Sequence, residues 1–218
     1  MSIEVYSESS FAEIMDDRPE LNGRLLEIHE QMKPYLALLN VRHVGYDGRL
    51  KQGQTIVHKA MYDTFKNLFA KLLDLRFPIQ QIVPMNAYGW NDARAMAANN
   101  TSVYRPSFIG DPSRGKASEH TRGTALDLNP LDNPLINPGG SIEPKEAVGH
   151  SAREDVVIFG RRLDVIGLFN VAGFEYGGYW NDPSHPTDYY GIELSDRHHF
   201  ELRPAAATVL RVPPNVWA

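Results

Sequence analysis

The chain has 218 residues, of which 42% are hydrophobic and 22% charged, and its formal net charge is −5. It is long enough to bury a sizeable core without covalent staples, too apolar for disorder, and without an apolar run long enough to cross a bilayer. Cysteine is absent, which excludes a disulfide framework, a thiolate nucleophile and cysteine-ligated zinc, so any metal must be bound through nitrogen and oxygen.

Residues 1–40 hold 8 acids against 3 bases and account for the whole acidic excess. The balanced remainder is a poor electrostatic footprint for nucleic acid. Glu4, Glu8, Glu13, Asp16 and Asp17 interrupt what would be the apolar core of a signal peptide, so the chain as given is expected to carry no export signal. Leu21, Leu25, Ile28 and Met32 recur at helical spacing and predict an amphipathic helix over 21–33, ended by Pro34. Val41 to Tyr46 reads as a short strand followed by a turn at Asp47-Gly48. Val57, Met61, Phe65, Leu68 and Leu72 form one stripe and predict a helix from about 55 to 74. Ile79 to Val83 reads as a buried strand, and 86–117 as a long loop, a length usually reserved for functional segments. Residues 124–128 alternate as a strand, and 129–153, with four prolines, is irregular. A helix over roughly 154–169, an aromatic and glycine run, a polar loop and a last strand near His198 to Leu202 complete an α+β pattern. The predicted organisation is an N-terminal helical extension, 1–39, packed on one domain, 40–218.

Of the eight histidines, His29, His43, His58, His150 and His185 are expected to have surface or capping roles. His120 differs, because Ser118-Glu119-His120-Thr121-Arg122-Gly123-Thr124-Ala125-Leu126-Asp127 gathers a histidine, a glycine and an acid between two irregular stretches. His120 and Asp127 are seven apart, so a continuous strand would point them to opposite faces and only a bend brings them together. Gly123 offers that bend, and small Ala125 leaves room beside the carboxylate. A catalytic zinc site usually takes three protein ligands, so a third is needed. The other dense cluster is Asp196-Arg197-His198-His199-Phe200-Glu201. Strand parity puts His199 with Arg197 and Glu201, and His198 with Asp196 and Phe200, and does not choose between the two histidines.

The pattern S-x-H-x-x-G-x-A-x-D from Ser118 to Asp127, followed by D-x-x-H-F-E from Asp196 to Glu201, resembles the signature of the LAS zinc metallopeptidases. That group includes D-alanyl-D-alanine carboxypeptidases, L-alanyl-D-glutamate endopeptidases, lysostaphin-type enzymes and the hedgehog signalling domain. Asn100-Thr101-Ser102, Tyr104-Arg105, Asp127-Leu128-Asn129-Pro130 and the run Gly173 to Trp180 also resemble the carboxypeptidase and dipeptidase branch, over about residues 40–205. The resemblance implies a small antiparallel sheet carrying the zinc site, flanked by helices. It implies one Zn2+ held by His120, Asp127 and His199, with Asp196 as catalytic base and Arg105 stabilising the oxyanion. Ser118 is implied to bind substrate or support the metal site. Asp182, His185 and Asp188 lie in an expanded loop, 181–195, and stand outside the pattern.

The implied activity is zinc-dependent hydrolysis of a peptide bond in peptidoglycan stem peptides or precursors, which places the working enzyme at the cell wall or periplasm, or in the cytoplasm if it acts on soluble precursors and recycled peptides. Two other readings share the motifs: an L-alanyl-D-glutamate endopeptidase acting as a phage lysin, and a non-catalytic zinc module binding wall peptides or a protein. Asp196 and Arg105 weigh against the second.

Overall fold

A computed structural model of the chain describes residues 4–5, 8–109, 115–149, 163–180 and 195–209. The N-terminal part comprises strand β1 (Glu4–Val5) and helices α1 (Phe11–Asp16) and α2 (Gly23–Met32). Ser10 and Glu13 close a capping box on α1, satisfying two backbone donors at its start. The central hairpin joins β2 (Leu36–Val44) to β3 (Leu50–His58), antiparallel over nine register pairs from Leu36↔His58 to Val44↔Leu50. Strand β1 adds to β3 in parallel. One core lies between this hairpin and helix α3 (Tyr62–Asp74), where Leu39, Val41 and Val57 meet Phe65, Leu68 and Leu72. A second gathers Ile14, Met15, Leu21, Ile28 and Met32 with Leu36, Ile56, Trp90 and Tyr104, so the N-terminal helices pack directly on the hairpin.

Three expectations change here. The stripe assigned to a helix from about 55 begins on a strand, because Val57 reaches the same core as Phe65 from β3 and continues the four-residue spacing across the junction. Thr55, Ile56 and Val57 are β-branched and favour extended backbone, while the helix proper starts at Tyr62. Ile79 and Ile82 are fully buried as expected, but their segment pairs through single bridges, Val44↔Pro78 and Gln81↔Asn100, rather than as a strand. Pro78 and Pro84 at its ends supply no donors for a longer ladder. The stretch 86–117 is not one loop: it holds α4 (Asp92–Ala97), capped by Asn91, and the short hairpin β4 (Phe108–Ile109) with β5 (Lys116–Ala117).

The C-terminal part carries α5 (Glu119–Arg122), β6 (Ala125–Asp127), β7 (Leu135–Ile136), β8 (Ile142–Glu143), α6 (Leu163–Val171), β9 (Phe174–Tyr176), β10 (Ser195–Asp196), β11 (His199–Leu202) and α7 (Pro204–Val209). Strands β6, β11 and β9 form an antiparallel sheet in the order β6-β11-β9, and its inner side chains Leu126, Phe174, Tyr176 and Phe200 join the α3 core. This is the α+β architecture with a small antiparallel sheet that the sequence predicts. The last strand is shorter than expected, because a turn at Arg197-His198 separates β10, which pairs with β7, from β11. Parity therefore does not carry across that turn. The first half of the predicted 154–169 helix, His150, and the loop residues Asp182, His185 and Asp188 lie outside the described residues. Among the described residues no helix is long and apolar enough to cross a membrane.

Candidate metal and catalytic site

The bend expected at Gly123 is a single helical turn. Ser118 caps α5, its hydroxyl accepting from His120 N at 3.1 Å, and Gly123 closes the turn with φ +68°. Gly123 is required twice over: a Cβ there would stand 2.7 Å from His58 N, whose N–H donates to Gly123 O. The turn aims His120 at β6, where Asp127 is the last residue. On β11, His199 is the register partner of Asp127, so the two project from the same face of the sheet. His120 Nε2, His199 Nδ1 and Asp127 Oδ1 thus meet, with Nε2–Nδ1 3.1 Å, Nε2–Oδ1 3.1 Å and Nδ1–Oδ1 3.0 Å. All three residues are buried.

The outer ring atoms decide what these inner atoms offer. His120 Nδ1–H donates to Val103 O at 2.7 Å, and His199 Nε2–H donates to Glu201 Oε2 at 3.1 Å. With the outer protons so placed, a metal ion that displaced any inner proton would meet two ring nitrogens and a carboxylate oxygen. The chemistry fits zinc: bonds of about 2 Å in a tetrahedron give ligand separations of about 3.3 Å, near those seen. These atoms belong to the group His120, Asp127 and His199, which could hold a metal ion. The geometry brings His199, not His198, to His120.

Charge around this cluster is arranged in layers. Asp127 gives its second oxygen to Arg105 Nη1 at 2.7 Å, while Arg105 Nη2 pairs with Asp92 Oδ2 at 2.9 Å. Burial raises the Asp127 pKa, but His120, Arg105 and His198 outweigh it and hold the carboxyl well below its ordinary value. Burial works against the charge on Arg105, and the two aspartates overcome it. His120 is shifted down by burial and by Arg105. His199 goes the other way, since hydrogen bonds to Asp127 and Glu201 outweigh burial and hold it well above the ordinary histidine value. Asp196, displaced upward chiefly by burial, stands 3.1 Å from His198 Nε2.

Ser118 Oγ, besides capping α5, lies 2.9 Å from Ser107 Oγ. Trp180 packs a tilted ring on His199, centroids 5.3 Å apart, whereas Tyr104 and Tyr176 belong to the cores. Gly177 lies under the turn between β10 and β11, where a Cβ would stand 2.7 Å from Asp196 O and 3.2 Å from His199 Cβ. The remaining histidines split. His58 caps a turn, accepting from Ala60 N, as expected, but His29 and His43 are buried rather than surface residues; His29 bridges Met15 O and Tyr104 Oη. Sequence reasoning gave no role to Glu201, Asp92 or the Val103 carbonyl. Glu201 was findable, because it shares a strand face with His199; nothing in the sequence points from Arg105 to Asp92.

Residues 112–202 match the family model for D-alanyl-D-alanine carboxypeptidase, a stretch that contains both motifs and bears out their resemblance to the LAS zinc metallopeptidases. Arg105 lies before the matched stretch, so geometry alone brings it to this site. No curated protein and no solved structure matches the chain. The match supports a peptidase of the carboxypeptidase type acting on a peptide substrate.

Proposed function

We propose that the chain is a zinc-dependent peptidase that hydrolyses a peptide bond in peptidoglycan stem peptides or their precursors, with D-alanine at or near the bond. The observation that carries this reading is the convergence of His120 Nε2, Asp127 Oδ1 and His199 Nδ1 on one point, with Asp196 and Arg105 beside it, in a chain that matches the carboxypeptidase family. A divalent ion held by the three ligands supplies Lewis acidity that polarises the scissile carbonyl and acidifies the attacking water. Asp196 takes the proton from that water and returns it to the leaving amine. Arg105, held charged between Asp92 and Asp127, stabilises the oxyanion that develops at the carbonyl. Ser118 supports the site from the start of α5 and lies half-buried where it can also meet substrate. In this reading the residues before β2 are an extension packed on the catalytic domain, and the boundary expected at 39/40 moves to the start of that strand at Leu36, which pairs throughout with β3.

The test is metal analysis beside mass spectrometry of defined muropeptides, including a stem pentapeptide ending in D-alanyl-D-alanine. The expected result is about one zinc per chain, as a single three-ligand site implies, with metal-dependent release of D-alanine. Asp196→Asn is expected to retain zinc and lose turnover. Cleavage between L-alanine and D-glutamate would reassign the bond, and zinc without any cleavage would overturn the peptidase reading in favour of a binding module.

A further inference from the structure

His29 lies on α2, in the N-terminal extension, and is fully buried. Its Nε2 is hydrogen-bonded to Met15 O at 2.9 Å. A carbonyl only accepts, so Nε2 carries the ring proton and Nδ1 is left as an acceptor. The buried Tyr104 hydroxyl donates to it at 3.1 Å. Trp90 packs edge-on against both rings, with centroids 4.8 Å from His29 and 5.9 Å from Tyr104, and its Nε1–H donates to Asp17 O at 2.8 Å. Two carbonyls at the end of α1 therefore accept from this aromatic group, and Tyr104 is the member that belongs to the other side. It sits in the segment Ser102 to Arg105, and each of its neighbours there serves the ligand cluster. Ser102 exchanges both backbone hydrogen bonds with Asp127, at 3.0 and 2.9 Å. Val103 O accepts from His120 Nδ1 at 2.7 Å, and Arg105 Nη1 donates to Asp127 Oδ2 at 2.7 Å.

We propose that the N-terminal extension is a working part of the metal site: His29 is a positioning residue that, by accepting the Tyr104 hydroxyl, fixes the segment that orients His120 and Asp127. The need for such an anchor follows from the fold. Residues 102–105 belong to no strand, and the bridge Ser102↔Asp127 is an isolated one, so no continuous ladder sets their place. The backbone of the segment is held from the β3 side, where Val103 N donates to Thr55 Oγ1 and Tyr104 N to Ile56 O. The Tyr104 hydroxyl holds it to the extension. The inference rests on the assignment of His120 and Asp127 as metal ligands, and the experiment separates the two.

Tyr104→Phe removes the hydroxyl alone and keeps the ring in the core. His29→Gln keeps an N–H near the Nε2 position for Met15 O and gives up the acceptor, whereas His29→Asn keeps an acceptor near Nδ1. In the full chain, with zinc affinity measured by competition against a chelator, Tyr104→Phe and His29→Gln are each expected to weaken binding about 10-fold, the lower end of what the loss of an outer support costs a metal site. His29→Asn is expected to recover most of that loss. The double variant Tyr104→Phe with His29→Gln should be no worse than either single, because both remove the same bond. Unchanged affinity in the two singles, losses that add in the double, or Gln tolerated where Asn is not would reduce the contact to core packing and overturn the proposal. A second readout needs neither metal nor turnover. In 15N spectra of the metal-free protein, with the His120 signals assigned by their absence in His120→Ala, Tyr104→Phe is expected to move the Nδ1–H resonance of His120, whose acceptor is the carbonyl next to Tyr104. A parent chain that binds no zinc refutes the ligand assignment and leaves this spectrum to decide, where an unmoved His120 resonance overturns the inference.

Discussion

Glu201 stands opposite Ala125 across the β6–β11 pair and accepts the Nε2–H of His199 at 3.1 Å. The small side chain at 125 leaves the face open for that carboxylate, and the carboxylate fixes which nitrogen of His199 points inward. Glu201→Gln keeps an acceptor but removes its charge, and is expected to weaken zinc binding by about 10-fold, with Glu201→Leu nearer about 100-fold. Competition against a chromophoric chelator measures this. Unchanged affinity in both variants would show that Nδ1 needs no such support.

Metal binding should also register as stability. An ion that binds the folded chain alone, at about 100 times its Kd, contributes about 2.7 kcal/mol, which for a chain of this size raises Tm by about 5–10 °C. Differential scanning fluorimetry with and without zinc, after chelator treatment, is the check. His120→Ala and His199→Ala should each abolish the shift, and a shift that persists in both would locate zinc elsewhere.

His43, far from the ligand set on β2, predicts an acid sensitivity of the fold itself. Burial, reinforced by Lys51 across the strand pair, lowers its pKa to about 4. Because the folded value lies below the unfolded one of about 6.5, the unfolded chain binds the proton more readily. Stability from this group is full above about pH 6.5 and declines as pH falls toward 4. Urea unfolding at pH 7 and pH 5 should show a loss of about 2 kcal/mol traceable to His43, and His43→Leu should flatten that part of the profile. An equally steep profile in the variant would remove His43 as its source.

Arg105 offers a planar fork to two carboxylates at once, which lysine cannot reproduce. Arg105→Lys is expected to lower kcat by about 10²–10³-fold, the usual size for one oxyanion donor. Asp92→Asn, which loosens the fork from its outer side, is expected to cost less, with zinc content unchanged. Steady-state kinetics on the pentapeptide decide it, and a variant with lysine at 105 that keeps full kcat would exclude the oxyanion role.

The sequence foretold the convergence of His120 and Asp127 because a glycine between them was the one place the chain could bend, and the structure puts a one-turn helix there. Strand parity could not choose between His198 and His199, since that depends on a turn at 197–198 that parity ignores, and only the motif resemblance pointed to His199. The helix predicted from 55 failed for a related reason: Val57 and Phe65 share a core, and a core records only which side chains meet, not the backbone that delivers them. Asp92 and the Val103 carbonyl were invisible because they act through tertiary approach, across 13 and 17 residues, with no local pattern to mark them. His29 and His43 were read as surface residues because burial of a polar ring depends on partners that spacing does not reveal.

Gly177 sits where any added carbon would press on Asp196 and His199 together. The separation between those two residues is therefore governed in part by a clearance, in the machinist's sense, rather than by a bond that could be strengthened or cut. For directed evolution of this scaffold, alanine at 177 would displace both groups in one step and leave no single compensating site. Diversity aimed at a new substrate is better spent away from that glycine.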